Sequence, residues 1–317
     1  MKQYDIAAIG ELNVDIILNG IESEPEIGKE KFAREMTVTL GSSTAIFAAN
    51  AAALGSKVCF VGMVGRDSFG SLVRSSLEAK GVDTRYLVEG DTPTGATICM
   101  SYGEDRANLT YQGAMDVMTF DDIPEEVFRQ ARHIHLSSLF MQSGLLRDVH
   151  RILDAASANG VTVSLDTQWD PVEAWALDYK SVLPKVTVFM PNEKELQCLT
   201  GAADLKSAIA AVLPYLGGCM MLKCGSEGSV LVGKDGSRTV LPAFLNTDVV
   251  DAIGAGDSCN AGFVTAFVQG LPLEECQRTG NLTGAVNTTA AGGTGAFSSL
   301  QAVRDICESR FGQTLKI

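Results

Sequence analysis

Apolar runs alternate with helix-length segments along most of this chain, and that rhythm limits the folds open to it. YDIAAIG (4–10) reads as a buried first strand. TAIFAANAAALG (44–55) is alanine-rich and ends at Gly55, as helices often do. KVCFVGMVG (57–65) predicts a strand, and SFGSLVRSSLEAKG (68–81) an amphipathic helix closed by Gly81. Strands are expected at 133–138 and 161–168, on either side of a helix at 144–160. A strand at 186–192, helices at 192–201 and 203–214, and a strand at 219–225 follow. A hairpin spans 228–243 with its turn at Lys234-Asp235-Gly236. The end is helical: Ala255 to Gly270, then 272–291, then 299–310. Strand–helix alternation implies a mostly parallel sheet covered by helices on both faces. The 317 residues read as one domain, 1–317. Two stretches break the rhythm, 16–40 and 94–112, where short antiparallel strands without a helix between them predict a small lid.

Composition removes several classes of function. Lysine and arginine number 25 against 38 acids, a net charge of −13, which argues against a nucleic-acid backbone as partner. A small anion remains possible, because local dipoles and single cations bind one. The eight cysteines include no C-x-x-C pair, so a reducing, cytoplasmic setting is expected. MKQYDIAAIGELNVD lacks the apolar core and cleavage site of a signal peptide. No apolar run approaches the ~18 residues of a membrane span, so no membrane partner is expected. His133 and His135 share a strand face, but no third ligand of metal spacing accompanies them.

In parallel sheets ligands bind at the carboxyl ends of the strands. Polar residues gather there: Asn13 and Asp15, Asp166 and Asp170, Asn192 and Glu193, Lys223 and Gly225, and Asp251 to Asp257. The last group reads DAIGAGD and runs into an apolar helix. Glycine lets backbone approach a ligand, and a helix start carries unpaired N–H groups with partial positive charge. Gly254-Ala255-Gly256 is thus a candidate anion site, with Asp257 placed to take a proton from an attacking hydroxyl. By itself the stretch equally describes a capped turn. The P-loop pattern G-x-x-x-x-G-K-[ST] is absent, and Gly254-x-Gly256 is followed by Cys259 where G-x-G-x-x-G needs glycine.

DAIGAGD (251–257) resembles the D-T-x-G-A-G-D signature of the PfkB (ribokinase-like) carbohydrate kinases. The likeness extends over nearly the whole chain: IGELNVD (9–15), GMVGRDSFG (62–70), PTGATICM with GEDR (93–106), PNEKEL (191–196), LKCGSEGS (222–229) and Asn281. It implies a ribokinase-like three-layer αβα sandwich with a mostly parallel sheet plus a small β-sheet lid. The activity implied is ATP-dependent phosphorylation of a sugar hydroxymethyl group, on a ribose, ketohexose or sugar-acid type of substrate. By position, Asp257 would be the base, and the Gly254, Ala255 and Gly256 amides the anion hole. Asn13, Asp15, Gly41 and Ser42 would face the sugar. Asn192 and Glu193 would help place Mg²⁺ and phosphates through water. Lys223, Gly225, Gly228 and Asn281 would line the nucleotide side. Asp251 would sit by a monovalent cation, often potassium. Lid sheets of this kind often pair between subunits, so a homodimer through the lid is expected.

The chain also departs from the pattern. The family's G-G-x-x-x-N places Ser42 at its second glycine and Ile46 at its sugar-binding asparagine. Asn50, one helical turn later, is a candidate substitute and equally a helix-packing residue. Ala252 and Ile253 replace threonines, which leaves potassium dependence open. DTQWDP (166–171) stands where some members carry D-P-N-x-R; Trp169 suits stacking on a sugar face or packing within its loop, and Arg106 on the lid suits an anionic substituent or a solvated surface position. A nucleoside kinase of the same fold, with Ile46 and Phe47 facing a base, and a non-catalytic sensor are the alternatives.

Overall fold

A computed structural model of the chain describes residues 2–102 and 105–317, without the side chains of Asp105 and Arg106. Among the described residues nine strands form the main sheet, in the order β13-β12-β11-β10-β9-β8-β1-β4-β5. Their ranges are β1 (Tyr4–Ile9), β4 (Val58–Gly65), β5 (Asp83–Gly90), β8 (Ala131–Ser137), β9 (Thr162–Asp166), β10 (Val188–Phe189), β11 (Cys219–Lys223), β12 (Ser229–Gly233) and β13 (Arg238–Leu241). Pairing is parallel from β5 to β11. The β12–β13 hairpin closes one edge antiparallel. Alternate residues of β1 feed opposite cores, with Ala7 and Ile9 in one and Ile6 and Ala8 in the other. Helices cover both faces, as a sheet apolar on both sides requires. No single described helix is long and apolar enough to cross a membrane.

The lid is a four-stranded sheet of β2 (Asn13–Asn19), β3 (Glu35–Leu40), β6 (Gly95–Tyr102) and β7 (Asp105–Tyr111), in the order β3-β2-β6-β7. Three points of the sequence expectation need correction. The lid is not wholly antiparallel, because its central pair β2–β6 runs parallel. Both strands continue from parallel strands of the main sheet, β2 from β1 and β6 from β5, and so leave that sheet in the same direction. Strand β5 itself was not anticipated between 81 and 94, and the strand expected at 186–192 shrinks to Val188–Phe189. One lid face carries Asp15, Thr97, Asn108 and Thr110 toward the main body. The other carries Met36, Val38, Leu109 and Tyr111, all exposed.

Candidate active site

Between the lid and the strand ends lies a cavity of 640 Å³. A second, of 380 Å³, adjoins it. Lys223, Gly225, Ala252, Ala255 and Gly256 border both, so the cavities meet at the start of the Ala255–Val268 helix.

Gly254 caps that helix in the left-handed region, at φ 74°. A Cβ there would lie 2.7 Å from Gly293 Cα and 3.1 Å from Ile46 Cγ2, so glycine is required on both steric and backbone grounds. The Ala255 N–H donates to the Ala252 carbonyl, which removes it from the expected anion hole. The amides of Gly256 and Asp257 are then the first-turn donors without intrahelical acceptors.

Asp257 is buried beside that turn. Burial, then the nearby Asp166 carboxylate, pushes its carboxyl up to about 8, with Lys223 opposing. Gln168 Nε2 donates to Asp257 Oδ1 at 2.8 Å and to Asp166 Oδ2 at 3.1 Å. Its backbone lies in the left-handed region, at φ 59°. Asp166 Oδ2 also accepts from Lys223 Nζ and from Asn260 Nδ2, each at 2.5 Å. Burial alone would lower the Lys223 ammonium, but Asp166, Glu195 and Asp257 together hold it above its ordinary range. One lysine thus stays charged among several carboxyls, at the junction of the two cavities.

Asn192 caps the Glu193–Thr200 helix in a capping box with Glu195: Glu195 N donates to Asn192 Oδ1, and Asn192 N to Glu195 Oε2, both at 2.8 Å. Glu195, not Glu193, borders the larger cavity. Glu193 lies against the Cys224 thiol. The correction follows from helix geometry, since the third helical residue folds back over the cap while the first points away. Burial, then Asp166, raises the Glu195 carboxyl to about 7.

On the lid side, Asn13 Nδ2 donates to Asp15 Oδ1 at 3.1 Å and to Thr97 Oγ1 at 2.9 Å. Gly41 makes room for Asp15, because a Cβ there would meet Asp15 Oδ1 at 2.2 Å. Ser42 borders the cavity, but its hydroxyl donates to the Glu11 carbonyl and accepts from Ala45 N. It acts as a helix cap in a left-handed backbone, φ 72°. Glu11, fully buried, is pushed up by burial against its bonds from Thr44 and Ser138. Trp169 stands half-exposed on the rim, edge-on to Trp175 at 5.1 Å, which in turn meets Phe140. Asp170 Oδ1 and Oδ2 accept from Val172 N and Trp175 N and hold that loop. Position 106 pairs with Ser101 across β6 and β7; its side chain lies outside the described residues.

The smaller cavity is framed by Gly225, Gly228 and Asn281. Gly228 has φ 100°, and a Cβ would strike the Leu241 carbonyl at 2.1 Å. The Asn281 amide donates to the carbonyls of Leu241 and Pro242, tying the hairpin to the 273–287 helix. Asp251 accepts from Ile253 N and Gly292 N, both at 2.9 Å. Ile46 packs its side chain against Gly254 and Gly293. His133 and His135 are buried and bonded to Thr162 and Ser164, with His135 stacked on Phe47 at 3.7 Å. Phe47 is therefore core and not a cavity wall.

The sequence reading missed Glu11, Glu195, Gln168 and the lid residues Thr97, Asn108 and Thr110. Glu195 had a signal, the acid closing P-N-x-x-E. Gln168 had none, because its partner Asp257 is distant in sequence.

Two cavities meeting at a helix start, with a proton-accepting carboxyl at the meeting point, suit transfer of a phosphoryl group between two bound molecules. The comparisons agree. The pfkB family carbohydrate kinase model matches residues 3–299, and the chain belongs to that family. An uncharacterized sugar kinase of Archaeoglobus fulgidus is 32% identical over 235 residues, covering 73% of this chain and 91% of that protein. A ribokinase of Haemophilus influenzae is 26% identical over 313 residues, covering 96% of this chain and 98% of its own. The structure of Arabidopsis thaliana ribokinase complexed with ribose and ATP superposes with a TM-score of 0.81 at 25% identity, covering 96% of this chain and 98% of that one.

Proposed function

We propose that this kinase transfers the γ-phosphoryl group of ATP to a primary hydroxyl of a small neutral polyhydroxylated substrate, a sugar, held in the larger cavity. The observation that carries the reading is the charge of that cavity. Its described lining holds the carboxyls of Glu11, Asp15, Glu195 and Asp257 against the one ammonium of Lys223, already paired with Asp166. Such a lining leaves a carboxylate or phosphate on the substrate no unpaired cation among the described side chains and offers many hydrogen-bond partners to hydroxyl groups.

In this mechanism Asp15, Asn13 and the lid threonines orient the hydroxyls. Asp257 accepts the proton of the attacking hydroxyl, its raised basicity matching a working pH near neutral. The amides of Gly256 and Asp257, with Lys223, face the charge that develops on the transferring group. The nucleotide base occupies the smaller cavity, between the 225–228 turn and Asn281. Mg²⁺ accompanies the nucleotide. Asn192 and Glu195, hard oxygen donors at the junction, fit a cation that keeps its waters, and bound there it neutralises phosphate charge. Closure of the lid over the substrate excludes competing water. The apolar outer lid face supports a homodimer in which a second copy covers it.

A nucleoside is the second reading, favoured by the apolar wall of Ile46, Met115, Met141 and Trp169 in the same cavity. A panel of neutral aldoses and ketoses, nucleosides, sugar acids and sugar phosphates, scored by ADP release with Mg-ATP, separates these. Fastest turnover on a neutral sugar is expected. Fastest turnover on an acid or a phosphate would overturn the charge argument and assign the anion to Arg106.

A further inference from the structure

The loop that follows β9 is strained. Three of the five described non-glycine residues with positive φ lie in it: Gln168 at 59°, Glu173 at 54° and Trp175 at 50°. Such backbone persists only where the surrounding contacts over-determine it. Asp170 supplies those contacts. It is 2% exposed, and its two side-chain oxygens accept from Val172 N at 3.0 Å and from Trp175 N at 2.6 Å. Its carbonyl accepts from Glu173 N at 3.0 Å. The Trp175 ring meets Phe140 edge-on at 5.4 Å, and Trp169 meets Trp175 edge-on at 5.1 Å. At the start of the loop Gln168 N donates to Asp166 Oδ1 at 3.2 Å.

Two groups of the candidate site ride on this loop. Gln168 Nε2 reaches Asp257 Oδ1, and Trp169, the next residue, lines the larger cavity. Neither is held by regular structure, because residues 167–178 form no helix or strand. Their placement depends on the turns that Asp170 closes. A carboxylate offers acceptors on both oxygens, whereas an asparagine offers one oxygen and sets an NH₂ group against the other backbone N–H. Both turns at once therefore require the acid. Asp170 itself lines neither cavity.

We infer that Asp170 is a positioning residue: through the 168–175 loop it sets the Gln168 amide on Asp257 and the Trp169 ring at the rim of the sugar cavity. The inference rests on reading Asp257 as the base and the larger cavity as the sugar's. One buried acid then links the alignment of the base to the shape of the substrate wall. Asp257 also faces Asp166 at the end of β9, Lys223 at the end of β11 and Glu11 after β1. Those groups remain when position 170 is changed.

The near-isosteric Asp170→Asn tests it. With an active sugar, the acidic limb of kcat/KM should move up by about 1 pH unit, part of what the Gln168 bond gives Asp257. KM for the sugar should rise about 3-fold or more, the scale of a lost aromatic contact, while KM for ATP holds. Loss of a negative charge by itself would move the limb down, so the direction separates positioning from charge. Adding Asp170→Asn to Gln168→Leu should shift the limb no further than Gln168→Leu does alone. A limb that stays or falls, or a double variant whose shifts add, overturns the inference. Two readouts need no sugar, so failure here is distinct from failure of the sugar reading. The chain has two tryptophans, Trp169 and Trp175, and their near-ultraviolet circular dichroism should weaken in Asp170→Asn with the far-ultraviolet spectrum unchanged. The difference in thermal midpoint between the parent and its Asp257→Asn variant should level near pH 8. In the Asp170→Asn background the same difference should go on changing to about pH 9. An unchanged tryptophan spectrum, or a difference that levels at the same pH, overturns the inference without any substrate. If Asp170→Asn does not fold, Trp175→Leu, which keeps Asp170 and removes the anchoring ring, should extend the midpoint difference in the same way and decides in its place.

Discussion

Gln168 joins the two acids of the junction, and removing its amide should move the pH profile of the enzyme. In Gln168→Leu the bond to Asp257 Oδ1, 2.8 Å long, is lost, together with the 3.1 Å bond to Asp166. A hydrogen bond to a charged group contributes about 1.5–3 kcal/mol, and one pKa unit corresponds to about 1.4 kcal/mol. Asp257, now near 8, should therefore rise by about 1–2 units, because Gln168 stabilises the ionised form alone. The fraction of enzyme with an ionised base near neutral pH then falls about 10–100-fold. Asp166 keeps Lys223 and Asn260, so the remaining network should stand. The assay is kcat/KM for the sugar from about pH 6 to 10, which reports groups of the free enzyme. The acidic limb should shift upward by 1–2 units, with activity recovering toward the parental plateau at high pH. A variant whose activity drops by one constant factor at every pH, with the limb in place, would refute the assignment of Gln168 to the base. An unshifted limb with full activity would refute it as well.

Asp257→Asn should lower turnover by about 10²–10⁴, the scale of a general base, while Mg-ATP binding measured by calorimetry is retained. The same variant should gain stability relative to the parent as pH rises. A carboxyl raised from 3.8 to about 8 contributes most below its unfolded value and loses that contribution through the folded one, so the midpoints should diverge between about pH 4 and 8. Gly254→Ala, at φ 74° and 2.7 Å from Gly293 Cα, should lower kcat about 10–100-fold by displacing the first-turn amides, more than it lowers KM for ATP. Leu109→Glu, on the exposed lid face, should halve the mass seen by sedimentation; an unchanged mass would remove the lid as the dimer surface.

The strand–helix order, the lid's two insertions, the helix start at Gly254 and the acid at Asp257 were legible in the sequence. Each is written in neighbouring residues: periodicity, a glycine that frees a turn, an acid one turn into a helix. Tertiary structure decided what depends on distant partners. Asp166, Gln168, Lys223 and Asp257 come from two separate strand ends and a helix, and no local pattern records that one amide spans two carboxyls. Helix periodicity left Asn50 between the sugar and helix packing, and its bonds to Ser258 and Gly293 place it in the packing. Glu195 displaced Glu193 because a capping box folds the third helical residue back. Ser42 kept its place at the cavity and gave its hydroxyl to the Glu11 carbonyl. The parallel β2–β6 pair followed from strand directions set far away in the main sheet. Local sequence specifies which elements form and which chemistry they carry; the convergence of elements sets each group's dielectric, partners and charge.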